Sequence, residues 1–549
     1  MVKVGSKSLF YNNLRNKGWQ ILSAFLVFTM ISCSKTKVDL IVHNANVYTV
    51  DNQFDKVQAF AVDDGKFVAI GSDRKILGNY YATRTLDAQG QSIYPGFIDG
   101  HCHFVGYGET KVRYADLNGC QSFEEVLERL EKHDENNDSE WLLGRGWDQN
   151  LWELKEFPEN TELHKRFPNK KVLLTRVDGH AVLVTSNILE IIDLNECSHV
   201  EGGEVILNKK GKPSGILLDN AADMAKAIVP PLDNAQKIKA LKIAQRDCFA
   251  LGLTGVTDAG LDIKSIALID SLQQEDVLLM KVNAMINPDD ETMNYFMKFG
   301  VIDKERLTVR SVKIYADGAL GSRGAKLIEP YSDATETSGL IVESEDFYDH
   351  VCEKAYNAGY QVCCHAIGDG GVRMILNEYA KFLKGENDLR WRIEHSQVVD
   401  PQDFALYKKY NIIPSIQATH CTSDMPWAEE RLGGERVKGA YAYKTLLEQN
   451  GWLINGTDFP IEHISPLKTF YSSVARKHLT DNKLSREEAL KSMTIWAAKG
   501  YFAEDRKGSI EIGKEADFVI LSEDIMTIPD ESIPQVKVMN TFIDGELVY

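Results

Sequence analysis

An α/β fold is what this sequence predicts, and three observations predict it. Between residues 92 and 458, eight short apolar runs alternate with helix-patterned stretches, the mark of strand–helix units feeding a parallel sheet. Both chain ends are instead rich in strands. The interval between the first and second apolar runs is far too long for one crossover. Eight strands with intervening helices are what a (β/α)8 TIM barrel requires. The expected architecture is that barrel, a composite β-sandwich domain built from both chain ends, and an insertion after barrel strand 1.

Taken in order, the N-terminus stands apart. Lys3, Lys7, Arg15 and Lys17 precede an apolar run, Gly18 to Ser32, with no acid among them, and the run ends at Cys33. A basic region and about 15 apolar residues describe a signal peptide at 1–32, too short for a membrane span. Met30-Ile31-Ser32-Cys33 resembles a bacterial lipobox, which makes Cys33 the expected lipid site. The protein is therefore expected to be exported, touching a membrane only through that lipid.

Residues 34–94 and 505–549 form the expected sandwich. Asp39–Val50, Gln58–Val62 and Lys66–Ile70 are β-branched or aromatic runs, with a hairpin signal at Asp63-Asp64-Gly65. Ala516–Leu521 and Val536–Ile543 repeat the pattern at the other end. The barrel occupies 95–504. Its candidate strands are Ser92–Gly100, Gly252–Asp258, Leu279–Met285, Thr308–Asp317, Gln361–His365, Trp391–His395, Ile412–Gln417 and Trp452–Asp458, with the inserted subdomain at about 104–245.

Composition limits the partners. The 549 residues carry 62 Lys+Arg and 80 Asp+Glu, a net charge of −18. Loss of residues 1–32 removes four cations and leaves −22. So acidic a body offers no global phosphate-neutralising surface, which argues against nucleic acid as the main partner. Of the nine cysteines, the eight besides Cys33 show no regular spacing, and most are expected to be small buried hydrophobes.

The chemistry concentrates at strand ends. In Asp99-Gly100-His101-Cys102-His103 the two-residue period of a strand puts both imidazoles on one side and Cys102 on the other. Paired imidazoles suit zinc-like divalent metals. His365, His395 and Asp458 close three later candidate strands, on the face where barrel enzymes keep their catalytic groups. Any one of them alone reads as a core histidine or a loop aspartate; together they favour a site. Val312, Ile314 and Ala316 form one face of the fourth strand, so Lys313 points into the barrel, where a lysine is costly unless paired or modified. Carbamylation would make it an anionic bridging ligand; pairing with Asp317 or Asp458 is the alternative.

PGFIDGHCH, VKIYADGALGSRGA, HAIGDGG, RIEHSQ, NGTDFP, GSIEIGKEADFVIL and TFIDGELVY, in this order, resemble the metal-dependent amidohydrolase superfamily, in its amidohydrolase-3 branch of N-substituted formamide deformylases. The resemblance covers almost the whole chain after the leader. It implies two divalent metals, of zinc type. His101 and His103 would hold the more buried one and His365 and His395 the second, with carbamylated Lys313 bridging. Asp458 would touch a metal and move the proton. In the insertion, Gly144-Arg145-Gly146-Trp147-Asp148 and Arg176-Val177-Asp178-Gly179-His180-Ala181 also resemble the branch. Asp148, Asp178 and His180 are candidate pocket residues on that ground, His180 with a catalytic role at the carbonyl, and structural roles are equally open. Arg323 is a candidate contact for a substrate anion, against an ion-paired arginine.

The resulting expectation is hydrolysis of an amide, or related non-peptide C–N bond, by metal-activated hydroxide. A deaminase or isomerase on the same scaffold, or a non-catalytic binding lipoprotein, is the alternative. The resemblance also allows a homodimer.

Overall fold

The computed structural model describes residues 35–549 apart from 136, 138, 193–198, 386 and 476–481. The expected leader at 1–32 and its Cys33 lie outside the described residues. Among the described residues, no helix is long and apolar enough to cross a membrane.

Eight strands pair in parallel and in sequence order: Phe97–Cys102, Leu253–Leu261, Lys281–Ile286, Leu307–Tyr315, Gln361–Ala366, Arg392–His395, Ile413–Ile416 and Ile454–Asn455. They are called barrel strands one to eight below. Strand eight returns to strand one at the site end of the barrel. There Asp458 N donates to His101 O at 2.8 Å and His103 N to Phe459 O at 2.8 Å. Gly456 permits that approach, since a Cβ there would lie 2.4 Å from His101 N.

The run expected as one strand, Ser92–Gly100, is two. Ser92–Pro95 lies parallel to Asn46–Tyr48 and antiparallel to Phe518–Leu521, outside the barrel. The chain enters the barrel only at Phe97. Both halves are apolar and fully buried, so hydrophobicity alone does not show where the chain changes sheet.

The two chain ends build two sheets. One is four-stranded, from Thr36–His43, Ala59–Asp63, Lys66–Gly71 and Tyr80–Asp87; the other is six-stranded and joins Asn46–Tyr48, Lys56–Val57 and Ser92–Pro95 to Phe518–Leu521, Val538–Ile543 and Glu546–Leu547. An apolar cluster of Leu40, Val42, Phe60, Phe67, Phe518 and Phe542 joins them, with Phe60 edge-on to Phe518 at 4.9 Å. At the entry to strand three, buried Lys281 donates to Glu515, Asp517 and Asp544 at 2.6–2.8 Å, fastening the C-terminal strands to the barrel.

Between strands one and two, helices Phe104–Arg113 and Asn234–Phe249 pack on the barrel core through Phe104, Tyr107, Leu241 and Ala244. The second starts where Asp233 and Gln236 form a reciprocal capping box, and its apolar residues recur at helical spacing. The inserted sheet therefore begins later than about 104. Its six strands run from Tyr114–Asp116 to Pro213–Leu218, with their own apolar cluster around Trp147, Leu142, Leu174 and Leu183. Cys102, Cys120, Cys248, Cys352, Cys363 and Cys364 are buried free thiols, and Cys421 is buried as well.

Candidate metal centre

The site grows from the C-terminal ends of the barrel strands. On strand one Cys102 turns outward, its Sγ on Thr257 O at 3.4 Å, while Asp99 and His101 turn in. Asp99 binds three groups, Thr457 Oγ1 at 2.7 Å, Thr457 N at 3.0 Å and His101 N at 3.1 Å, and so splices the motif of the last strand to that of the first. Burial lifts its carboxyl to about 7. His101 is fully buried, with Nδ1 2.7 Å from Glu394 Oε2. Glu394 Oε1 in turn accepts Arg392 Nε at 2.7 Å. Burial opposes the charge on Glu394, but Arg392 and His101 outweigh it and hold the carboxyl at about 2. Burial, and then Lys313, depress the His101 imidazole to about 4. The carboxylate thus accepts a hydrogen bond from Nδ1–H and leaves Nε2 with its lone pair facing the centre.

Strand six delivers two inward groups in succession, which a regular strand does not. Arg392 and Glu394 point in and Ile393 packs outward in the apolar core. His395 would follow Ile393, but its φ of +72° and the +43° of Ser396 rotate the ring back. It then lies 5.1 Å from the His101 ring and 4.5 Å from that of His365. Asp458 is also left-handed, at φ +62°. Such backbone at non-glycine residues gathers where function requires a particular direction.

Asp458 Oδ1 lies 3.7 Å from His101 Nε2 and 3.4 Å from His103 Nε2. Its Oδ2 meets His420 Nε2 at 3.2 Å, and His420 Nδ1 faces Glu462 at 3.1 Å. His101, His395 and Asp458 offer ligand atoms within 4.8 Å of one another. Asp458 Oδ1 and His395 Nδ1 are buried with no hydrogen-bond partner. A carboxylate oxygen and a ring nitrogen buried without partners among imidazoles fit a zinc-like divalent ion. A second acidic trio, Glu515, Asp517 and Asp544, is filled by Lys281 instead.

Lys313 is 1% exposed and its Nζ lies 3.4 Å from His101 Nε2. Burial lowers its pKa. The pairing with Asp317 left open by the sequence does not form: that carboxylate accepts the backbone N–H groups of Lys326, Ile367 and Gly368 at 2.8–2.9 Å. His365 stands beside His395, with Nε2 3.3 Å from Gly318 O.

The insertion closes the site into a cavity of about 1110 Å³, lined by His103, Lys313, His365, His395 and Asp458 and by Arg145, Asp148, Asp178 and His180. Arg176 bridges Asp148 and Asp178, and Asp178 also accepts His180 N at 3.1 Å. His180 Nδ1 is 2.7 Å from Asp219 and its ring 4.9 Å from that of His365. Burial opposes charge on His180, yet Asp219 raises its pKa above the ordinary value. Arg323 does not join them. Its guanidinium is tied to Asp333 at 2.9 and 3.2 Å, so the ion-paired alternative describes it, and it is absent from the cavity wall.

Sequence reasoning missed four partners: Glu394, Asp219, His420 and Arg145. Glu394 stood inside the RIEHSQ motif, and its neighbour Arg392 was a usable signal, because a buried arginine requires an acid. Arg145 stood inside the GRGWD motif. Asp219 and His420 belong to no motif.

The sequence profile of the Amidohydrolase family (Amidohydro_3) matches residues 84–549. A putative amidohydrolase of Bacillus subtilis, YtcJ, is 29% identical over 92% of this chain and 98% of its own length. The N-substituted formamide deformylase of Arthrobacter pascens is 25% identical over 93% of this chain and 98% of its own. Among solved structures, an uncharacterized metal-dependent hydrolase from Pyrococcus horikoshii superposes with a TM-score of 0.72 at 28% identity, covering 90% of this chain and 99% of that one.

Proposed function

The chain belongs to the amidohydrolase family, and on that premise we propose that it hydrolyses an amide or related non-peptide C–N bond of a small molecule. The observation that carries the reading is Asp458 Oδ1, a buried carboxylate oxygen without a hydrogen-bond partner among His101, His103 and His395. His101, His103, His365, His395 and Asp458 would hold the metal, with Lys313 between the two pairs of histidines. When bound, a divalent ion supplies Lewis acidity and lowers the pKa of a coordinated water.

The chain's own groups supply the remainder. Asp458 accepts the proton of the attacking water at Oδ1 and passes it to the leaving nitrogen, while His420 and Glu462 fix its other oxygen. His180, oriented by Asp219, presents Nε2 to the carbonyl oxygen. One water is consumed; an acid and an amine leave.

Carbamylation of Lys313 belongs to the same proposal. Reaction with CO₂ requires the neutral amine, and burial favours that form. The product is a carbamate anion and one released proton. Exchange of the purified protein into ¹³C-bicarbonate tests it: a carbamate resonance lost in Lys313→Ala is expected.

Assaying metal-loaded protein against N-acyl amino acids, N-formyl amines, cyclic amides and aminopurines tests the reaction class. Release of a carboxylic acid with an amine supports hydrolysis; ammonia from an aminopurine alone favours the deaminase alternative. Metal content well below one equivalent in protein purified without chelators would favour a binding protein.

A further inference from the structure

Arg145 is the one cavity-lining arginine whose side chain has no partner among the described residues. It sits near the end of the inserted strand Trp141–Trp147, where the pairing with Lys171–Arg176 slips between Arg145 and Trp147. Trp141 and Leu143 pack into one apolar cluster, Leu142 and Trp147 into another. The bulge therefore sends Trp147 to the opposite face and leaves Arg145 in line with Trp141 and Leu143, at the cavity rim.

Its Nε is buried and makes no hydrogen bond. The terminal amino groups face the cavity beside Gly179, where an added Cβ would lie 3.4 Å from Nη2. Gly179 has φ +80°, so the loop carrying Asp178 and His180 both bends there and leaves room for the guanidinium. The nearby acids are engaged elsewhere: Asp178 and Asp148 by Arg176, Asp219 by His180, and Asp223 by Lys226. A guanidinium stays charged at any physiological pH and carries five N–H donors matched to a planar oxyanion. Left inside a wall without such a partner it is costly, so the site is complete only when an anion arrives.

We propose that Arg145 receives a carboxylate of the substrate, so that the amides this site prefers carry a free carboxylate, as N-acyl amino acids do, and neutral N-formyl amines and cyclic amides are poor substrates. The proposal rests on the hydrolytic reading above and deepens it. Arg145 acts through binding, outside the proton chemistry of Asp458.

The test uses metal-loaded full-length protein and N-acetyl derivatives of four amino acids with differing side chains, each as free acid and as methyl ester. Titration calorimetry and steady-state kinetics are run side by side. The free acids are expected to bind and react at least about 10-fold better than their esters. Arg145→Gln is expected to erase that ratio through the KM of the acids while the KM of the esters is unchanged, and Arg145→Lys to restore part of it. A ratio does not depend on how much of a variant folds. Equal use of acid and ester by the wild type, or an equal loss for both in Arg145→Gln, overturns the proposal. Arg145-dependent binding of acids without turnover leaves the anchor standing and removes the hydrolytic reading. Turnover without preference for the acids does the reverse, and absence of both binding and turnover overturns both.

Discussion

Glu394 Oε2 lies 2.7 Å from His101 Nδ1, and both side chains are wholly inside the barrel. A carboxylate in that position fixes the tautomer of a metal-binding histidine and raises its basicity. Glu394→Gln is expected to weaken metal affinity by about 10–100-fold, read by competition against a chelator. Unchanged affinity in a folded variant would deny the carboxylate this role.

The two roles proposed for Asp458, metal retention and proton movement, separate in one variant. Asp458→Asn keeps an oxygen beside His101 and His103 but cannot take a proton. Metal content is expected to remain close to wild type while kcat falls by about 10²–10⁴-fold. A near-normal kcat would remove Asp458 from the proton path.

Asp424 supplies a pH signature of its own. It accepts Tyr441 Oη at 2.8 Å and Gln397 Nε2 at 3.0 Å, and burial pushes its carboxyl to about 7 although His420 draws it down. The folded pKa is raised above the ordinary 3.8, so the folded state binds this proton more tightly. Its contribution to stability is therefore complete below about pH 4 and is lost as pH rises through 7. Asp424→Asn keeps both hydrogen bonds possible without the charge. Its Tm is expected to exceed wild type at pH 8, with the gap narrowing as pH falls and closing near pH 4. A gap independent of pH would contradict the assignment.

Lys281 holds three carboxylates at once. Lys281→Met would leave Glu515, Asp517 and Asp544 buried around an apolar group, and a loss of about 3–5 kcal/mol is expected in denaturant unfolding. A loss below about 1 kcal/mol would mean that water reaches the acids freely.

The barrel was legible in the sequence because its signal is local. Each apolar run is bounded by turns, and seven of the eight runs correspond to strands displaced by few residues. The four histidines and Asp458 could be placed at one end of the barrel because each closes or follows such a run, and Lys313 because strand alternation turns it inward. Ser92–Gly100 was misread because Pro95-Gly96 marks a change of sheet inside an unbroken apolar run. Glu394 escaped because its partner His101 is 293 positions away, and because strand alternation places it opposite His395. Only the left-handed backbone at His395 reconciles the two. Arg145 escaped because it shares a strand face with the apolar Trp141 and Leu143, and only the register slip after it turns the next large side chain, Trp147, away. Arg323 was misassigned because its partner, Asp333, lies in the same long loop and nothing in the local pattern announces the pairing.

The seam between the first and last barrel strands has a further consequence. The two backbone bonds that close it, from Asp458 to His101 and from His103 to Phe459, run through residues that would also chelate the ion. Strand eight contributes only Ile454–Asn455 to the ladder, so the joint lies where the candidate ligands gather and has little ladder of its own. An ion held by His101, His103 and Asp458 therefore doubles as a clasp across the joint, bridging segments more than 350 residues apart in sequence. Each tenfold rise in free metal above its dissociation constant should add about 1.4 kcal/mol to the stability of the whole barrel. A chelator would then act first as a denaturant of the ring, opening it at the seam before any other strand pair parts.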